Sequence, residues 1–319
     1  LSVSKLLVAY PIGLVVDTYG RKPGVALGLL LALVGAIALG LSILWTSPLY
    51  LIAGLLIFGL GVGAIQQLRL AAADMYPPSR RAEGLGYVLT GSLIGALGGP
   101  VLISAAQGVA GDLQIDPIGM AWFLVPAVII PSLILIALVR PDPKVIAANL
   151  EQYYPGYQAP PARTAGVPQR VGLMTFIRHF PKRVAFVASF AAQGNMTMMM
   201  AMTSLALHHH GHELPAISLS VAIHVIGMFG LSLPIGSLTD RIGRRAVMIA
   251  GALIAATGSI LIVVTPMYWV ITLGTFLVGL GWSCITVAAV ALIADTTEPA
   301  VRGRAVGTND TFTAAAAIA

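Results

Sequence analysis

Apolar stretches of about twenty residues recur from one end of this chain to the other, separated by short polar connections. Twenty apolar residues in a helix span the hydrocarbon core of a bilayer. Only 9% of the 319 residues are charged, against roughly a quarter in a soluble domain, and a water-exposed surface cannot be built from that. The expected class is all-α: a polytopic helical membrane protein. Soluble enzymes, nucleic-acid binders and secreted disulfide scaffolds are excluded, and the single cysteine, Cys284, allows neither an internal disulfide nor a cysteine-cage metal site. No nucleophile and base stand at catalytic spacing and there is no phosphate-cradling loop, so no enzymatic activity is expected.

The apolar segments fall at about 1–16, 24–45, 49–73, 84–110, 119–139, 184–207, 216–236, 246–265, 268–293 and 305 to the end. Their connections divide into two classes. Those at 17–23, 74–83, 140–183, 240–245 and 294–304 hold 16 of the 18 Lys and Arg residues, and those at 46–48, 111–118, 208–215 and 266–267 hold none. The positive-inside rule assigns the first class to the cytoplasm, so the net charge of +6 is a topology signal and implies no nucleic-acid partner. Trp45, Trp122 and Trp269 fall near the opposite face, as interfacial aromatics do. The expected organisation is an N-terminal bundle over 1–139, a cytoplasmic linker over 140–183 and a C-terminal bundle over 184–319.

The two halves repeat each other. Gly13-x3-Asp17-x2-Gly20-Arg21-Lys22 recurs as Gly236-x3-Asp240-Arg241-x-Gly243-Arg244-Arg245, and Asp74-x3-Pro78-x2-Arg81-x4-Gly86 recurs as Asp295-x3-Pro299-x2-Arg302-x4-Gly307, at offsets of 223 and 221 residues. Two motifs in order at nearly one offset indicate two halves of the same membrane orientation. Gly59-Leu60-Gly61 and Gly279-Leu280-Gly281 supply matching small residues for close helix contact.

These loops resemble the signature loop of the major facilitator superfamily, which the family places in the cytoplasm after the second and the eighth helix. The resemblance covers the whole chain. It implies a carrier fold of two pseudo-symmetric bundles, running here from within the second helix to the start of the eleventh. An aspartate at a helix end can accept amides at the N-terminus of a neighbouring helix, aligned with its dipole, and the arginines have Asp74, Glu83, Asp295 and Glu298 as carboxylate partners. The expected conformational latch therefore comprises Asp17, Gly20, Arg21, Lys22, Asp74, Arg81, Asp240, Arg241, Gly243, Arg244, Arg245, Asp295 and Arg302. The first copy departs from the pattern with Thr18 where a basic residue is usual.

Fold does not determine cargo, so polar residues at membrane depth carry the rest. Five of the 11 methionines fall between Met196 and Met202. At helical periodicity Ser189, Gln193, Met196, Met200, Thr203 and Ser204 share one stripe, and Met198 and Met202 lie nearly opposite. On the next span His224 and Met228 share a stripe with Ser220 and Gly227. A rise of ~1.5 Å per residue puts Met200 and His224 about 11 and 12 Å from the outer ends of their spans, and Met196 and Met228 about 17 and 18 Å. If the two spans are antiparallel neighbours, three thioethers and an imidazole share one level, a donor set suited to Cu(I) and offering little to Mg²⁺, Ca²⁺ or Zn²⁺.

The pairs Met196-x3-Met200 and His224-x3-Met228 closely resemble the paired metal motifs of the CcoA-like copper importers, a major facilitator branch. That resemblance implies copper uptake across the bacterial inner membrane for cytochrome oxidase assembly, with these four residues as ligands of the transported ion, copper chaperones as candidate partners and no resident cofactor. The outer loop residues His208, His209, His210 and His212 are a candidate copper-concentrating mouth, with a solvated polar turn as the equal alternative. Lys5, the counterpart of Met228 in the first half, and Asp310 are candidate coupling groups; Asp310 is equally a helix-start cap partner. Arg69 is expected to snorkel to the cytoplasm, and Cys284 is a candidate third-helix ligand or inert packing. The rivals are a drug or organic-solute exporter, whose glycine–proline motif Gly95 to Pro100 only approximates, and a metal-binding membrane sensor that transports nothing.

Overall fold

A computed structural model describes residues 1–158 and 172–319, so the part of the expected linker between them lies outside the described residues. Every regular element among the described residues is helical. The first half comprises α1 (Ser2–Tyr19), α2 (Arg21–Leu44), α3 (Pro48–Ile65), α4 (Leu68–Asp74), α5 (Arg81–Leu113), α6 (Pro117–Leu124) and α7 (Pro126–Leu138). Three short helices follow, α8 (Pro143–Ala148), α9 (Leu150–Tyr153) and α10 (Leu173–Arg178). The second half comprises α11 (Phe180–His209), α12 (Leu214–Phe229), α13 (Ser232–Ile242), α14 (Arg244–Val264), α15 (Tyr268–Asp295) and α16 (Arg302–Ala316).

Eight stretches are long and apolar enough to cross a membrane: Arg21–Leu44, Pro48–Asp74, Pro78–Leu113, Pro117–Ala148, Phe180–His209, Pro215–Ile242, Arg244–Val264 and Tyr268–Asp295. The first and last of the ten expected segments fall short of that criterion. The 18-residue α1 carries Lys5 and Asp17, and α16 has only 15 residues and carries Arg302, Arg304 and Asp310. These two polar helices pack along each other between the halves, which is where charged groups avoid lipid. Three expected single spans are interrupted. The breaks fall at Gln66 and Gln67 between α3 and α4, at the Val125–Pro126 step, and at Gly230 and Leu231 between α12 and α13.

On the face bearing the signature loops the halves are pressed together at two crossings. A β-carbon on Gly13 of α1 would meet the Gly303 carbonyl of α16, and one on Gly236 of α13 would meet the Ala82 carbonyl of α5. Gly20 and Gly243 take φ of 112° and 96° at the turns into α2 and α14, a region open to glycine and strained for other residues. Within the second half α15 is the central helix. The helices α11, α12 and α14 all pack along it, and α11 and α12 barely touch each other, which corrects the expectation that they are direct neighbours.

The beginning of the linker is docked against the first half. The Asp142 carboxylate accepts the backbone N–H groups of Arg21, Lys22 and Lys144 at 3.0, 2.9 and 2.8 Å, capping α2 from 120 residues away. The Lys144 ammonium donates to the carbonyls of Asp17 and Thr18. Farther on, the Tyr154 hydroxyl donates to the Met75 carbonyl at 2.8 Å. Burial pushes the Tyr76 and Tyr154 phenols above their ordinary value, so both remain neutral donors at physiological pH.

Candidate functional site

The signature loops form two reciprocal ion-pair systems at the closed face. Asp74, at the end of α4, accepts from Arg21 of its own half at 2.7 Å and from Arg302 of the other half at 2.7 Å. Its counterpart Asp295 accepts from Arg244 of its own half at 2.9 Å and from Arg81 of the other half. Each carboxylate thus ties a loop arginine to an arginine opening a helix across the interface. The guanidinium of Arg21 also reaches the Pro299 carbonyl at 3.0 Å, and that of Arg244 the Pro78 carbonyl at 2.6 Å.

The loop aspartates bind helix starts, again across the halves. Asp17 accepts the N–H groups of Gly303 and Arg304 at 2.7 and 3.0 Å, and Asp240 those of Ala82 and Glu83 at 3.2 and 2.9 Å. These are the first amides of α16 and α5, where the helix dipole favours an anion. Asp17 gains a further bond from Arg304 Nε at 3.1 Å, whereas the equivalent position, Glu83, pairs with Arg80. Arg304 was missed in the sequence, although the 221-residue offset aligns it with Glu83.

Several expected latch members stand outside these systems. Arg241 and Arg245 are exposed and make no ion pair among the described residues, and the Lys22 ammonium reaches the Ala137 carbonyl at 3.0 Å and no carboxylate among them. Glu298 has no basic partner among the described residues either. Thr18 donates back to Leu14, and the basic group its position lacks arrives as Lys144 from the linker.

Beyond this closed end, between the halves, lies a cavity of about 360 Å³. Its first-half wall comes from α1, the α3–α4 break and α5, and includes Lys5, Gln66 and Arg69. Its second-half wall comes from α11, α12, α15 and α16, and includes Gln193, Met196, Met228, Phe229, Trp282, Asn309 and Asp310. The Trp282 indole donates to Gln193 at 3.0 Å and stands edge-on to Phe229, 6.1 Å away. Arg69 pairs with Asp310 at 2.8 Å across the halves. That corrects the expectation that Arg69 snorkels to the surface, and it makes Asp310 an ion-pair partner and not a helix cap. Lys5 lies in the same wall, and its ammonium makes no hydrogen bond or ion pair among the described residues.

The four expected copper ligands are divided. Met196 and Met228 line the cavity. Met200 packs with Ser220 and Val221 of α12 and Thr275 of α15. His224 is buried and turned toward α15, where Nδ1 donates to the Thr275 carbonyl at 2.7 Å and Nε2 has no partner among the described residues. α11 and α12 each pack mainly along α15, and all three helices meet beside Met200. Met198 and Met202 are 63% and 51% exposed on the outer face. Asn195, unexplained by periodicity, accepts from Ser259 of α14 at 3.0 Å.

The outer histidines also separate. His209 and His210 flank a groove with the end of α14, and His208 and His212 lie with Glu213 and Pro215. The His212 ring packs 5.1 Å from that of Tyr268. Among the described residues no three His, Cys, Asp or Glu side chains are grouped to hold a metal ion. Cys284 is buried against Gly251 of α14, away from the cavity, so it packs and does not reach the cavity wall.

The model of the family described as Major Facilitator Superfamily matches residues 1–178 and 184–319. The chain belongs to the Major Facilitator Superfamily. This superfamily member is 30% identical over 314 residues to "Uncharacterized MFS-type transporter YddS" of Bacillus subtilis (strain 168), covering 97% of this chain and 70% of the relative. It is 25% identical over 304 residues to the riboflavin transporter RfnT of Brucella anthropi, covering 92% and 69%. Its fold matches that of the Escherichia coli fucose:proton symporter FucP with a TM-score of 0.72 at 16% identity, over 97% of this chain and 78% of that one. The protein is accordingly a multi-pass membrane protein of the transporter class and not an enzyme.

Proposed function

We propose that the chain is a secondary active transporter that carries a small organic solute through the cavity between its halves by alternating access, in the bacterial inner membrane with the signature loops cytoplasmic. One observation carries this reading: the cavity is walled by both halves and shut on the loop face by contacts that cross between them. Rocking the halves apart there would break those contacts and open the cavity to the cytoplasm. The side of the loops follows from their positive charge. An organic cargo suits the wall, where Phe229 and Trp282 offer aromatic surface and Gln66, Gln193 and Asn309 offer hydrogen bonds. RfnT, by its name, carries riboflavin, a planar organic molecule.

Spin labels at the exposed positions Thr18 and Arg241, one on each half, test the reading in a Cys284→Ala background. In liposomes the pair is expected to show two distance populations. A single distance that no latch substitution moves would leave a sensor or scaffold.

A specific observation favours a second reading, import of copper for cytochrome oxidase assembly. A histidine whose Nδ1–H is held by a backbone carbonyl, with Nε2 left open, is oriented as metal-ligating histidines are, and His224 is so held. Against it stand Lys5 and Arg69 in the cavity that Met196 and Met228 line, which repel a cation. Under this reading, radioactive copper accumulates in cells lacking their own importer. Accumulation is then lost in Met196→Ala, Met200→Ala, His224→Ala and Met228→Ala and kept in Met198→Ala. Under the organic-solute reading none of the five substitutions alters copper accumulation.

A further inference from the structure

The cavity wall has an unbalanced charge. Its charged side chains are Lys5, Arg69 and Asp310, two cations against one carboxylate. Asp310 spends one oxygen on Arg69 at 2.8 Å, and among the described residues its buried Oδ2 has only the Asn309 side chain beside it. The Asn309 Oδ1 is buried and unpartnered among the same residues. The Arg69 guanidinium is bound at only two points, since Nε donates to the Gln66 carbonyl at 3.3 Å and one terminal nitrogen serves Asp310. A guanidinium presents five donors in a fork that fits a carboxylate bidentately, so Arg69 keeps donors in reserve. The Lys5 ammonium, on α1, makes none of its three bonds among the described residues. Opposite these basic groups lie Met196, Met228, Phe229 and Trp282, an apolar surface for the body of a ligand.

Resting on the transporter reading, we propose that the cargo is a small organic carboxylate, held between Lys5 and Arg69, and that it binds by displacing Asp310 from Arg69. One monoanion brings the wall to neutrality, which neither a neutral solute nor a metal cation would do. Arg69 belongs to the first half and Asp310 to the second, so their pair is also a tie between the halves at the level of the cavity. A carboxylate that takes the place of Asp310 on Arg69 breaks that tie from inside, and cargo binding is thereby linked to separation of the halves.

The test measures thermal unfolding of the purified chain in detergent with 1-naphthoate and with 1-naphthamide, which share shape and differ in charge. The expected result is a rise in the unfolding midpoint with naphthoate and none with the amide. Lys5→Gln and Arg69→Gln are expected to weaken naphthoate by about tenfold or more, equivalent to about 1.4 kcal/mol. Asp310→Asn, which removes the internal competitor, is expected to strengthen it by a similar factor. Should Asp310→Asn fail to fold, Lys5→Gln decides alone, because Lys5 ties nothing in the fold. Equal binding of acid and amide, weakening in Asp310→Asn, or no response to naphthoate in the millimolar range would each overturn the carboxylate site. The transporter reading has its own readout in the spin-label distances, so the two failures are distinguishable.

Discussion

Asp74→Ala is expected to be the most damaging substitution in the protein. Its carboxylate is fully buried and is shared by Arg21 and Arg302, each at 2.7 Å. Removing it leaves the Arg302 guanidinium without a carboxylate and Arg21 with Asp17 alone, at 3.1 Å, inside the protein. Breaking a buried pair in this way costs about 3–5 kcal/mol, a large part of the stability of most domains. The counterpart Asp295 has a side chain 23% exposed, but Arg81, which Asp295→Ala would release, is only 2% exposed, so a loss between that of a surface pair and that of a buried one, about 1–3 kcal/mol, is expected there. Denaturant or thermal unfolding of the purified variants measures both. Near-equal losses would show that burial does not set the difference between the two halves.

Loss of both loop aspartates is expected to have the largest effect on conformation. Each of Asp17 and Asp240 accepts two first-turn amides from a helix of the opposite half, and hydrogen bonds to a charged group contribute about 1.5–3 kcal/mol each. Discounting for solvation of the freed groups still leaves several kcal/mol in the double variant Asp17→Ala/Asp240→Ala. About 5.5 kcal/mol of differential stabilisation takes a two-state equilibrium from 1:99 to 99:1. A cysteine at Val306, fully buried where α16 meets α1, should therefore pass from protected to maleimide-reactive in the Cys284→Ala background. Of the single variants Asp17→Ala should be the stronger, because Arg304 also loses its carboxylate, whereas each variant takes one partner from its loop arginine, Arg21 or Arg244. Unchanged protection of the Val306 cysteine in the double variant would mean that these bonds do not hold the loop face shut.

Much of this was legible in the sequence, because bilayer burial and internal duplication both write themselves along the chain. Apolar length located the spans, and the paired offsets brought Asp17, Asp74, Asp240 and Asp295 forward with their arginines. Helical periodicity separated Met196 from Met198, since facing within one helix depends only on residue spacing. Reading failed where two elements distant in the chain had to be placed side by side. Nothing local shows that α11 and α12 each pack along α15 more than along each other. Nothing local shows that Lys144 substitutes for the basic residue missing at Thr18, or that Arg69 finds Asp310 across 241 residues.

The order of residues alone determined that this is a duplicated helical membrane protein with charged loops at one face, because the hydrophobic effect and the positive-inside rule act on each segment separately. Only the tertiary structure decided which helices are neighbours, which carboxylate each arginine meets, and that the cavity pairs cations with aromatic surface. Those outcomes depend on packing between segments, where the interaction of two side chains is set by distance in space and not by separation along the chain.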